Sequence, residues 1–310
     1  MRIAVLDVGT NTTRLYIADV QSGEITAEHE RISRVTRLGA GVDASGHLAA
    51  DALEREHAVL GDYRALIDKA GVDRTVAVMT SAVRDAADGS AFAADVSSRY
   101  GIEAHVISGD EEARLTYLGA TSDHDHEAAD QHAGPTLVVD IGGGSTEIVL
   151  GRGDHLVFHV STQAGVVRQA DRHITQDPPT DTELEATAQD VRSIINQAVP
   201  ERWRQGVGRA IAVAGTPTAL AAIAQELDPY DPTRVHGYQL TAAERDAVFA
   251  RLKTMPLTER QQVPGLHPDR ANVILPGIVI LTELMNLFEL DAVEVSEHDI
   301  LRGAALAYSA

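Results

Sequence analysis

The chain has 310 residues, of which 26 are basic and 46 acidic, a net charge of −20 at neutral pH. That sign excludes a general nucleic-acid or membrane-surface binder, so any anionic ligand must be held by a local site. Hydrophobic residues make up 44% and charged residues 23%, the composition of folded domains. The absence of Cys excludes disulfides, thiolate zinc sites and a cysteine nucleophile.

Residues 2–8 and 13–20 read as strands, and 24–38 as a further strand and bend carrying Arg31, Arg34 and Arg37. Leu48–Ala70 has helical periodicity, with Leu53, Val59, Leu60, Tyr63, Leu66 and Ile67 on one side. Strands are expected at Thr75–Met79 and Ala104–Ile107, and helices at Ser90–Tyr100 and from Ser108 to about Ala120. Residues 122–135, SDHDHEAADQHAGP, lack periodicity and read as a solvated linker, because the spacing of His124, His126 and His132 matches no zinc pattern. Beyond it come strands at 137–150 and 155–161, helices near 163–175 and 181–199, and a strand–turn–helix unit at 210–223. Helices at Thr241–Lys253, Arg270–Phe288 and His298–Tyr308 and a strand near Val293–Val295 complete an α/β pattern. The length suits two domains, divided here at 1–121 and 122–310, with the last helix able to pack back on the first. The N-terminal segment does not read as a signal peptide and no apolar run reaches spanning length, so the cytoplasm is the expected location.

Within this pattern lies an internal repeat. Ala4–Ile17, AVLDVGTNTTRLYI, superposes on Leu137–Leu150, LVVDIGGGSTEIVL, with Asp7 on Asp140, Gly9 on Gly142, Thr12 on Ser145 and Thr13 on Thr146. Each copy is a short apolar run ending in an acid, a glycine turn and a second run, which is a hairpin. Glycine lets backbone N–H groups approach an anion, and the hydroxyls of Thr10, Thr12, Ser145 and Thr146 add donors. Asp7 and Asp140 can hold a divalent cation between protein and phosphate. A third turn, Gly215-Thr216-Pro217-Thr218, opens a helix after an apolar run, the arrangement of an anion site or of an ordinary βα turn. In ISGDEEARL, Ser108 and Glu111 have capping-box spacing. Glu112 has no such duty and could orient a water for attack on phosphorus, or serve only the helix dipole.

Taken together, DVGTNTTRLYI, RLGAGVDASGHL, TSAVRDA, ISGDEEARLTYLG, VVDIGGGSTEIVL, the DPPT at Asp177–Thr180, VAGTPTALAAI and GLHPDRANVILPGIVIL resemble the exopolyphosphatase/guanosine pentaphosphate phosphohydrolase (Ppx/GppA) family over nearly the whole chain. The resemblance implies two actin-like (ribonuclease H-like) α/β domains with the active site in the cleft. It implies release of terminal orthophosphate from inorganic polyphosphate or from guanosine pentaphosphate, with Mg²⁺ or another divalent cation such as Mn²⁺. Glu112 is then the base that activates water. Asp140 and Glu147 position metal and water, with Asp7 near the metal. Gly9, Thr10, Asn11 and Thr12 form one phosphate loop and Gly142, Gly143, Gly144 and Ser145 the other. Arg84 faces the anionic chain, and Gly215 and Thr216 bind phosphate. A homodimer is a further expectation from the family. The family often has Ser where Thr10 stands. The chain resembles the short form without the extra C-terminal helical domain, which points to short polyphosphate.

Arg31, Arg34, Arg37, Arg168 and Arg172 are candidates for a basic groove, against scattered ion pairs. Two rival functions stand beside the hydrolase: a sugar-kinase-like phosphotransferase using ATP, and a non-catalytic sensor of guanosine penta- or tetraphosphate.

Overall fold

In the computed structural model, which describes residues 1–123, 134–153 and 155–309, the first hairpin forms as its sequence requires. Strands β1 (Arg2–Val8) and β2 (Thr12–Gln21) are antiparallel, with Asp7 opposite Arg14 and Val8 opposite Thr13. β1 is the centre of a five-stranded sheet and is buried on both faces, which is why it reads as an unbroken apolar run. Ala4, Leu6 and Val8 join one core with helix α1 (Ala50–Ala70). Ile3 and Val5 join another with Leu115 and the C-terminal helix Ile300–Tyr308.

The order of that sheet is β3-β2-β1-β4-β5, with β3 (Glu24–Val35) antiparallel to β2, and β4 (Arg74–Met79) and β5 (Glu103–Val106) added in parallel. Helix α2 (Gly89–Tyr100) and helix α3 (Gly109–Thr121) follow β4 and β5. The unit comprises Met1–Ser122 and Asp299–Ala310. Two glycines allow α3 and the C-terminal helix to touch backbone to backbone. A Cβ on Gly119 would stand 1.9 Å from the Asp299 carbonyl oxygen, and one on Gly303 1.8 Å from that of Leu115.

The second unit, Asp123–His298, repeats the plan. Its sheet runs β10-β11-β9-β6-β7-β8, formed by β6 (Thr136–Ile141), β7 (Thr146–Arg152), β8 (His155–Thr162), β9 (Arg209–Val213), β10 (Tyr238–Thr241) and β11 (Ala292–Val295). Read from β8, the order β8-β7-β6-β9-β11 matches that of the first unit, with three antiparallel strands and then parallel ones. β10 is an extra antiparallel edge strand. Both units thus have the actin-like, ribonuclease H-like topology. The helices are α4 (Val166–His173), α5 (Asp181–Ala198), α6 (Gly215–Ala224), α7 (Ala242–Leu252) and α8 (Ile274–Leu287).

Three local expectations are corrected. Tyr238–Thr241 is a strand, with Thr241 capping α7 rather than lying inside it; four residues are too few to show a period of two. The helix expected from Arg270 starts at Ile274, after a 3₁₀ turn at Pro268–Arg270. The Ser108–Glu111 box is half made: Ser108 Oγ accepts from Glu111 N, but the Glu111 carboxylate takes Nε and Nη2 of Arg114 instead. Complete boxes form at Thr180–Glu183 and Thr241–Glu244. No helix among the described residues is long and apolar enough to cross a membrane.

Candidate active site

The two glycine turns have the same internal closure. Gly9 N donates to Thr12 O at 3.1 Å, and Gly142 N to Ser145 O at 3.0 Å. A Cβ on Gly9 would stand 2.9 Å from the Thr12 carbonyl oxygen, so the turn requires glycine there. The first turn is clamped from outside: Thr36 N and Arg37 N donate to Asn11 O, and Gly39 N to Thr10 O. Gly39 makes room for the Thr10 methyl, which a Cβ would meet at 2.3 Å. Thr10 Oγ1 is buried and has no hydrogen-bond partner among the described residues. A buried hydroxyl without a partner is costly, and an incoming phosphoryl oxygen would satisfy it.

Around the second turn, the first turn of α4 closes in. Val166 N donates to Gly142 O and Val167 N to Gly143 O, while Arg168 Nε donates to Gly144 O at 2.9 Å. A Cβ on Gly165 would stand 2.2 Å from the Gly144 carbonyl carbon, so the helix reaches the turn only because residue 165 lacks one.

The residues opposite the paired acids differ. Asp140 lies opposite Glu147 across β6 and β7, and both are buried. Directly opposed side chains share a face with Cβ atoms about 5 Å apart, where two carboxylates repel. Hard oxygen donors so placed fit a divalent cation. Glu147 Oε1 also accepts from Ser161 Oγ at 2.7 Å, which orients it. In the first unit the corresponding partner of Asp7 is Arg14, whose Nε and Nη2 donate to Asp7 Oδ2 at 2.9 and 2.5 Å. Arg14 Nη1 also donates to Asp299, and Arg31 Nη2 donates to Asp299 at 3.2 Å. Burial pushes the Asp7 carboxyl up despite Arg14. Asp299 is buried too, yet Arg14 and Arg31 hold it below the usual range. The Asp7 charge is therefore shared with a guanidinium, whereas Asp140 stands opposite a second carboxylate, Glu147.

Glu112, four residues into α3, is 6% exposed. Its Oε2 accepts from Arg84 Nη1 at 2.7 Å. Arg84 sits on the one-turn helix Ser81–Asp85 after β4, and the same Nη1 also donates to Ile107 O. Burial pushes the Glu112 carboxyl up to about 7; Arg84 pulls it down, while Asp7 and Asp85 add to the rise. The group thus changes protonation near neutrality, as a general base must. In the first unit the structure brings together Asp7, Gly9–Thr12, Arg84 and Glu112.

At the third turn, Ala214 has φ 72° and ψ −167°, a backbone unusual for a residue with a Cβ. The guanidinium of Arg270 lies against Gly215, where a Cβ would meet Nη1 at 2.7 Å. Arg270 belongs to the GLHPDRANVILPGIVIL segment. Asp177 of DPPT holds the chain elsewhere, accepting from Leu257 N and Arg260 Nη2.

Most of the groove candidates have carboxylate partners. Arg31 is with Asp299, Arg34 with Asp62 and Arg172 with Asp190. Spacing of three on a strand also sends Arg31 and Arg34 to opposite faces. Arg168 braces Gly144, and Arg37 is exposed with φ 53°. Apart from these groups, Asp123, His236 and His298 cluster in the second unit. Asp123 Oδ2 is 2.5 Å from His298 Nδ1 and 3.6 Å from His236 Nε2. Glu297 N donates to His236 Nδ1, which leaves that ring's proton on Nε2. These three side chains offer ligand atoms that all lie within 4.8 Å of one another. His124, His126 and His132 lie outside the described residues.

A family model described as the Ppx/GppA phosphatase family matches residues 16–305. The chain belongs to that family. It is 38% identical to exopolyphosphatase 2 of Mycobacterium tuberculosis over 99% of this chain and 98% of that protein. The crystal structure of the Aquifex aeolicus family member covers 100% of this chain and 97% of its own, with 32% identity and a TM-score of 0.80. A crystallised exopolyphosphatase-like protein covers 99% and 97%, with 34% identity and a TM-score of 0.90. Membership makes the chain a phosphoanhydride hydrolase.

Proposed function

We propose that this Ppx/GppA protein is an exopolyphosphatase that releases terminal orthophosphate from inorganic polyphosphate, with short chains preferred. The observation that carries the reading is the buried Glu112 carboxyl, raised to about 7 and gripped at Oε2 by Arg84. Arg84 orients the group and leaves Oε1 to take the proton of the attacking water. The new P–O bond forms as the anhydride P–O bond breaks, the shortened chain leaves, and the proton passes from Glu112 to solvent. Donors on the turns Gly9–Thr12 and Gly142–Ser145, with Gly215 and Thr216, hold phosphoryl oxygens; the orphaned Thr10 hydroxyl supports this role. A divalent cation, Mg²⁺ or Mn²⁺, fits Asp140 and Glu147 and when bound neutralises phosphoryl charge. The relative from Mycobacterium tuberculosis supports the substrate class by its name. A cytoplasmic homodimer completes the reading.

Orthophosphate release from tripolyphosphate, long polyphosphate, guanosine pentaphosphate and ATP tests it. Turnover should be highest on the short chain, vanish with a chelator, and fall about 10²- to 10⁴-fold in Glu112→Gln, the span of general-base catalysis. Turnover of guanosine pentaphosphate alone would select the other activity in the family's name. Tight nucleotide binding without turnover, unchanged in Glu112→Gln, would select a sensor.

A further inference from the structure

Glu56 lies in the middle of α1 and is fully buried, 0% exposed. It interrupts the buried stripe Ala52, Leu60, Tyr63 and Ile67, where an apolar side chain would be expected. Both of its carboxyl oxygens touch a single hydroxyl: Thr13 Oγ1 is 2.8 Å from Oε1 and 2.7 Å from Oε2. A hydroxyl carries one proton, so two strong contacts to one carboxyl are both hydrogen bonds when the carboxyl carries a second. Neutral Glu56 then donates from one oxygen to Thr13 Oγ1 and accepts at the other. Burial pushes this carboxyl up to about 7, with Thr13 and Thr36 pulling it down and Asp7 adding to the rise.

The two threonines bracket the first glycine turn. Thr13 is the residue after Gly9–Thr12, and its carbonyl accepts from Tyr63 OH. Thr36, whose Oγ1 is 3.3 Å from that of Thr13, donates its N–H to Asn11 O within the turn. Arg55 Nε, from α1, holds the Thr36 carbonyl. Asp7 on β1 acts on Glu56, Tyr63 on α1 is its titratable neighbour, and Arg14 on β2, Arg34 on β3 and Asp62 on α1 act on Tyr63. Arg14 is spent on Asp7 and Asp299, and Arg34 on Asp62.

We propose that Glu56 is a positioning residue for phosphoryl binding: as a neutral acid it holds Thr13 and Thr36, and through them the Gly9–Thr12 turn, in the receiving geometry, and its ionisation releases that hold. Ionisation removes the proton that one of the two contacts uses and places a negative charge behind a turn that must accept an anion. Substrate affinity falls with rising pH, while the water-activating step at Glu112 gains. The inference rests on the proposed use of the first turn for phosphate.

KM and kcat for tripolyphosphate, measured across pH in wild type, Glu56→Gln and Glu56→Ala, test it. Glutamine keeps the shape and a donor but cannot ionise. If only the neutral form is competent, the wild-type KM rises roughly 25-fold between about pH 6.5 and about pH 8.5. The KM of Glu56→Gln should stay near the low-pH wild-type value throughout, with kcat near wild type, and that of Glu56→Ala should be high at every pH. A KM in Glu56→Gln that climbs with pH as in wild type overturns the proposal. If no protein releases orthophosphate, the functional reading fails separately. Calorimetric binding of tripolyphosphate, compared between wild type and Glu56→Gln across the same pH range, still decides the role of Glu56.

Discussion

Two buried glutamates govern the chemistry of single residues in the first unit, and both are pushed up to about 7 by burial. A carboxyl whose folded value is raised binds its proton more tightly when folded. Its stabilising contribution is complete below the unfolded value of 4.5 and is lost as pH rises towards 7, by about 3 kcal/mol for each group. Glu56→Gln should therefore melt higher than wild type at pH 8 and close to wild type at pH 5, read by circular dichroism. On the proposed role of Glu112 as base, the same rise gives turnover an acidic limb, because the base acts only once its proton is lost. Removing the cation beside it in Arg84→Ala should move that limb to higher pH and lower kcat at neutrality; an unmoved limb would assign it to another group. The sequence showed Glu112 but not its state. Arg84 is distant in the chain, and only folding places its guanidinium 2.7 Å from the carboxylate. Glu56 had a visible signal, a charge inside an apolar stripe, yet its threonine partners come from β2 and from the residue after β3, which the periodicity does not connect to it.

Among the elements, hairpins were the most legible. A glycine turn between two apolar runs fixes its own closure, and the repeat predicted both copies. What the second turn rests on was not legible, since α4 reaches it through a contact at Gly165 that leaves no periodic trace. Gly165→Ala should displace the Gly144 carbonyl, raise KM and cost about 1–3 kcal/mol, the range for overpacking. The control is Gly61→Ala, in α1 with nothing within 4 Å of an added Cβ, which should gain about 0.5–1 kcal/mol from helix propensity. Equal effects from the two would remove the packing argument. The strand Tyr238–Thr241 escaped prediction because an edge strand of four residues is specified by the β11 backbone it pairs with, not by its own side chains.

For the molecule as a whole, the charge of −20 opposes approach of a polyanion at long range. Screening should help: kcat/KM for polyphosphate at saturating Mg²⁺ should rise as ionic strength increases from about 0.01 M to about 0.1 M, where the Debye length falls from about 30 Å to about 10 Å. A steep fall instead would show that long-range attraction by a basic surface dominates. By itself the sequence determined the duplicated plan, because apolar runs, glycines and an acid at fixed spacing are local patterns that each half carries in full. It determined for the same reason the residue types proposed for phosphate and cation chemistry. Tertiary structure decided what those residues are free to do. Across one strand pair it set Arg14 against Asp7, and across the matching pair Glu147 against Asp140, so one acid faces a guanidinium and the other a second carboxylate. The letters were visible in both copies, but charge compensation is a property of neighbours across a sheet and of burial, and neither exists until the chain has folded.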